Sequence, residues 1–196
     1  MNDFIFNIII NINNFIYVNY YYSFFIYFFI AIIFFTLSLP GGLIISLASG
    51  FFFGFLTGFF INIISASIGS LIFIIFSKTI FKKIFNKYYL KYSEKLSKYI
   101  QKSSFEYLIL IRLMFGSPLV FQNICISMLN ISKIKIFTSS LIGFAPLMLL
   151  FSYSGSYVSN VLTLKEITLI DIFSWEVIII LLIIICFTIL RIALKK

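Results

Sequence analysis

Apolar runs long enough to cross a lipid bilayer recur along this chain, which leaves few folds open to it. A membrane helix needs ~20 mostly apolar residues. Residues 22–39 and 59–77 qualify; the first stops at Pro40-Gly41-Gly42. In the second, Ser65 with Gly69 and Ala66 with Ser70 are small pairs four apart, a pattern that lets helices approach closely. Residues 136–158 form a third span, in which Gly143 and Pro146 mark an expected kink. Residues 176–191 form a fourth, with Trp175 as its interface anchor. Composition agrees: 62% of residues are hydrophobic, 11% are charged, and the mean hydropathy is +1.12. A soluble domain needs far more polar surface. The reading is an all-α polytopic membrane protein. Ile, Phe, Asn, Lys and Tyr, the dominant residues, all have AT-rich codons, so part of the bias is mutational.

Charge sets the expected orientation. Residues 78–102 hold eight lysines and one acid, Glu94. On a helical wheel Lys83, Lys87, Lys91, Lys95, Lys98 and Lys102 share one face, and Phe85, Tyr88, Tyr92, Leu96, Tyr99 and Ile100 the other. That is the pattern of an amphipathic helix lying on a membrane, lysines toward anionic headgroups. Positive charge marks the cytoplasmic side, so this segment and the basic C-terminus are both expected there, and the loop 159–175 outside. Residues 1–21 read as a surface segment, with Asn7, Asn11 and Asn14 on one helical face.

Parity then constrains residues 105–130. Two clear spans separate the two basic regions, so this stretch crosses twice or not at all. Twenty-six residues at ~1.5 Å each cannot cross twice as helix. A re-entrant hairpin is expected, broken at Gly116-Ser117-Pro118. Residues 39–58 look like its counterpart from the other side, shaped by Pro40, Gly41, Gly50, Gly54 and Gly58. About four transmembrane helices plus two opposed re-entrant hairpins would form an inverted repeat.

All six acids fall in loops or at segment ends, while Arg112 alone among fifteen basic residues lies inside an apolar segment. An arginine at bilayer depth costs ~2.5–3.5 kcal/mol on insertion scales. Arg112 is therefore expected to face Gln122, Asn123 or free carbonyls at the hairpin break, not lipid.

The arrangement Arg112, Pro118, Asn123, then Gly143 and Pro146, resembles the arginine-proline-asparagine pattern of the VTT-domain membrane proteins, which include the DedA proteins and the SNARE-associated Golgi proteins. Pro40-Gly41, Gly50, Phe53-Gly54 and Gly58 fit the same family's first hairpin. The resemblance covers about residues 22–158, leaving 1–21 as an N-terminal segment and 159–196 as an external loop and C-terminal helix. Two positions depart: Phe115 stands for a proline and Ser127 for a glycine. The lack of intramembrane acids looks closer to the Tvp/Tmem-like branch than to DedA proper.

The resemblance implies lipid handling: movement of phospholipids or polyprenyl phosphates between leaflets, and envelope integrity, in a bacterial plasma membrane. An arginine in a groove between hairpins can pair with a lipid phosphate. Two other classes stay open, an ion-coupled transporter of small solutes and a non-transporting membrane organiser. An enzyme is disfavoured, since the chain has no histidine and no nucleophile elbow or phosphate loop. The expected partners are membrane lipids with anionic headgroups, with homo-oligomerisation left open. Nucleic acid, cofactor and metal are not expected.

Overall fold

The apolar runs form helices of two length classes. A computed structural model describes residues 2–84, 104–114 and 118–162, and every element in them is α-helical. Three helices are long and apolar enough to cross a membrane: α2 (Tyr20–Leu37), α4 (Phe55–Ile84) and α7 (Lys133–Leu162). Three are too short: α3 (Gly42–Phe53), α5 (Ser104–Leu113) and α6 (Leu119–Ser127). At ~1.5 Å per residue the longest of these, α3, reaches about 18 Å, against a hydrocarbon core of ~30 Å. The amino-terminal α1 (Asn2–Val18) covers the expected surface segment. The lysine face at Lys87, Lys91, Lys95, Lys98 and Lys102, the side chain of Lys83, the break residue Gly116 and the fourth span lie outside the described residues.

Exposed side chains show what solvent the fold is built for. Phe25, Phe29, Ile33 and Leu37, spaced four apart on α2, all point outward and are more than half exposed. A continuous apolar stripe of this kind is unfavourable in water and ordinary against lipid. The interior is correspondingly rich in small polar residues: Ser46, Ser49, Asn62, Ser65, Ser67 and Ser70 are fully buried. Lipid tails are as apolar as leucine, so membrane helices associate through close packing and interhelical hydrogen bonds.

The central helix is α7, which packs against α3, α4 and α5. Glycines set these contacts. A Cβ on Gly50 of α3 would run into the backbone of Ser152 on α7, and one on Gly155 would run into the Leu47 carbonyl. A Cβ on Gly58 would sit 2.7 Å from the Gly50 Cα, so α3 and α4 touch backbone to backbone. Gly69 meets α2 in the same way, 2.7 Å from the Phe35 Cβ, as the small-residue pairs led one to expect.

The first glycine-rich stretch folds differently from expectation. Gly54, with φ +81°, is the only break between α3 and α4. Gly58 does not shape a separate hairpin arm; it lies inside α4, which starts at Phe55 and runs on into the second span. An interior glycine costs a helix roughly 1 kcal/mol against alanine, a cost met here by the close approach to α3. Within residues 105–130 the described residues form two short helices, α5 and α6, with Pro118 as the amino-terminal cap of α6. Pro146 lies inside α7, which runs as a single helix from Lys133 to Leu162, and is fully buried.

Candidate functional site

Arg112 lies in the last turn of α5 and is 2% exposed. Its partners come from two neighbouring helices, α6 and α7. Nη1 donates to Asn123 Oδ1 at 2.7 Å and to Gln122 Oε1 at 3.5 Å. Nε donates to Ser140 Oγ of α7 at 3.2 Å. The guanidinium carbon stands 4.7 Å from the centre of the Phe144 ring, a cation–π distance. These partners are neutral oxygens and a ring face; no carboxylate is among them. Nη2 is buried and has no hydrogen-bond partner.

The short helices α5 and α6 provide the geometry. Breaking the helix after Leu113 and restarting it at Leu119 brings Gln122 and Asn123 back over the end of α5. Gln122 also donates to the Met114 carbonyl at 3.4 Å, so an orphan acceptor at the break is taken by glutamine rather than by the arginine. Asn123 Nδ2 donates to Ser38 Oγ at 3.0 Å, at the end of α2. Ser38 Oγ in turn donates to the Phe35 carbonyl at 3.3 Å. A hydrogen-bonded chain therefore runs from α7 through α5 and α6 to α2.

Gly143 makes room for this arrangement. A Cβ there would collide with the Cβ of Arg112. Gly143, one of the two residues expected to mark a kink in the third span, provides clearance for an arginine on the neighbouring helix.

Arg112 opens onto a cavity of about 520 Å³. The α2–α3 turn from Ser38 to Gly42 forms one wall, and Met114, Pro118 and Gln122 form the opposite one. The body of the cavity is largely apolar, with Phe35, Leu43, Leu147 and Phe151 among its lining, and among the described residues Arg112 is the only charged one on its surface. Leu39, Leu43 and Met114 are 45%, 49% and 58% exposed, so the rim is open and apolar. Of the expected hairpin-shaping residues, Pro40, Gly41, Pro118 and Gly143 reach the cavity. Gly50, Gly54, Gly58 and Pro146 do not line it.

Sequence reasoning brought together Arg112, Gln122 and Asn123, and the structure joins all three. It missed Ser38, Ser140 and Phe144. The spacing of Ser140, Gly143 and Phe144 puts them on one face of α7, a signal that was present but silent without knowing which helix faced it. It also missed Asn62, whose amide donates to the Ser46 carbonyl and to Ser152 Oγ, both at 2.9 Å. Glu106 needs a correction of emphasis: it stands at a segment end, in the first turn of α5, yet is 3% exposed. Among the described residues no group of His, Cys, Asp or Glu is placed to hold a metal ion.

A sequence model of the VTT domain matches residues 39–157, more than half of the chain. This chain belongs to the VTT-domain family. The matched stretch begins in the α2–α3 turn and ends within α7, so it takes in both glycine-rich and arginine-bearing segments and most of the cavity. Among curated proteins and among solved structures nothing matches. As a VTT-domain protein with three helices of spanning length among the described residues, the chain is an integral membrane protein.

Proposed function

We propose that this VTT-domain protein moves lipids with a phosphate-bearing headgroup between leaflets. The observation that carries the reading is Arg112, which lines a largely apolar cavity and whose buried Nη2 has no hydrogen-bond partner. Burying a lone arginine costs ~2.5–3.5 kcal/mol on insertion scales. A bound phosphate would offset that cost and accept the free N–H groups. The ligand that suits one cationic end and an apolar body is amphipathic and anionic. Its tails could stay in the bilayer through the rim at Leu39, Leu43 and Met114.

In this reading α3 with the start of α4, and α5 with α6, are re-entrant and thin the hydrophobic barrier around the cavity. The lysine face from Lys83 to Lys102 gathers anionic headgroups on the cytoplasmic side of a bacterial plasma membrane, and the fourth span closes the domain.

A second reading, ion-coupled transport of a small solute, draws on the burial of Glu106. One reconstitution separates the two. Purified protein is placed in phosphatidylcholine vesicles carrying a trace of headgroup-labelled phospholipid or of an isoprenoid phosphate, and outer-leaflet label is quenched. Quenching beyond the outer-leaflet half supports lipid movement. Protection of the inner half for both lipids would overturn it. Loss of lipid movement in Glu106→Gln alone, with Arg112 intact, would bring ion coupling into the same mechanism.

A further inference from the structure

We infer that Ser38 is a positioning residue for the Arg112 guanidinium, acting through the amide of Asn123. The first observation is conformational. Helix α2 ends in a Schellman motif: the Leu39 N–H reaches the Phe34 carbonyl at 3.4 Å and the Ser38 N–H reaches the Phe35 carbonyl at 3.1 Å. The residue in the left-handed position of such a motif is usually glycine, sometimes asparagine. Here it is Ser38, with φ +50°, the only non-glycine residue with positive φ among the described residues. Three residues later the same turn uses Gly41 at φ +102°. The chain thus places glycine where only the backbone angle matters and keeps a side chain at the other left-handed position.

The second observation says what that side chain does. Ser38 Oγ has one proton, and it points to the Phe35 carbonyl. The oxygen can then only accept, and it accepts from Asn123 Nδ2 at 3.0 Å. That fixes the amide with its other end, Oδ1, toward Arg112 Nη1 at 2.7 Å. Turned over, the amide would set an NH₂ group against a guanidinium that can only donate. Asn123 is fully buried, so its Nδ2 has no water to fall back on. With Nη1 held by Asn123 and Nε by Ser140, the guanidinium plane is set, and Nη2 is the nitrogen left without a partner. Ser38 is 85 residues from Asn123 in sequence, so the anion site is complete only when the α2–α3 turn and the short helices α5 and α6 are docked.

The test separates hydroxyl from backbone. The chain has two arginines, Arg112 and Arg191, so ¹⁵N-arginine labelling with Arg191→Lys assigns the Arg112 Nε–H signal in the full-length protein in detergent micelles. Ser38→Gly and Ser38→Ala both remove the hydroxyl, but glycine suits the left-handed angle and alanine does not. The expected result is that both variants shift the Arg112 signal and speed its exchange with water alike, while thermal stability is lower for Ser38→Ala than for Ser38→Gly. Ser38→Gly added to Asn123→Ala should move the signal no further. An unchanged signal in Ser38→Gly, or a change that follows stability and appears only in Ser38→Ala, overturns the inference and leaves Ser38 as a turn residue. The effect on lipid movement, a loss of roughly tenfold in Ser38→Gly on the scale of one hydrogen bond, rests on the proposed function. If the wild type moves no lipid, that function fails while the spectroscopic result still decides the role of Ser38.

Discussion

Gly143 on α7 and Arg112 on α5 are packed so closely that the glycine hydrogen occupies the only space beside the arginine Cβ. The relationship predicts that Gly143→Ala displaces the guanidinium from Ser140 and Asn123. Overpacking of this kind costs typically 1–3 kcal/mol, so the thermal midpoint of the purified protein should fall and lipid movement should drop with it. Gly42→Ala is the control. Its Cβ would meet only the edge of the Phe35 ring, at 3.3 Å, and should be tolerated. Equal tolerance at both positions would mean that Arg112 has slack the packing does not show.

Arg112→Lys should keep the fold and lose most of the activity. Lysine has one nitrogen and cannot reach Ser140 and Asn123 while presenting another donor to the cavity. Charge-assisted hydrogen bonds are worth ~1.5–3 kcal/mol each, so a loss of at least about tenfold in lipid movement is expected. Arg112→Ala should lose nearly all of it. Full activity in folded Arg112→Ala would reduce the arginine to a structural cap and remove it from the mechanism.

Gly50 and Gly54, four residues apart, should behave oppositely. Gly50→Ala meets the Ser152 backbone, which has nowhere to go, and should cut the yield of folded protein sharply. A Cβ on Gly54 meets nothing within 4 Å, but its φ +81° and ψ 171° lie in a region nearly confined to glycine, so Gly54→Ala should cost ~1–3 kcal/mol of backbone strain and no collision. Yield and midpoint after detergent extraction check both. A severe loss at Gly54 and a mild one at Gly50 would reverse the packing assigned to α3.

Single cysteines introduced near residues 90, 168 and 195 test the orientation drawn from the lysine run. Those near 90 and 195 should react with an impermeant thiol reagent only from the cytoplasmic side, and the one near 168 only from outside. Opposite sidedness for 90 and 195 would mean that the α5–α6 segment crosses the membrane.

Much of this architecture was legible in the chain because lipid imposes simple rules on length and charge. The three spans of the described residues, the division of residues 105–130 into two short helices and the grouping of Arg112 with Gln122 and Asn123 all follow from counting apolar residues and asking where one buried cation can go. Gly54 and Gly58 could not be told apart by sequence. Both are glycines in an apolar run, and only tertiary contact makes one a break and the other a packing site. Ser38, Ser140 and Phe144 were invisible for a related reason. A serine in a membrane helix usually bonds its own backbone, and nothing local says that these two hydroxyls point at groups 85 and 28 residues away.

The backbone contacts at Gly50, Gly58, Gly143 and Gly155 bear on how this chain can drift. Its composition follows AT-rich codons, and glycine codons begin with two guanines. Base-composition pressure therefore pushes steadily toward replacing them. On the lipid-facing stripe of α2, exchanges among Phe, Ile and Leu meet no resistance from packing. At these four glycines even one added carbon collides with a neighbouring backbone or with Arg112. The helices of this protein are held in register at positions where the side chain is limited to a single hydrogen.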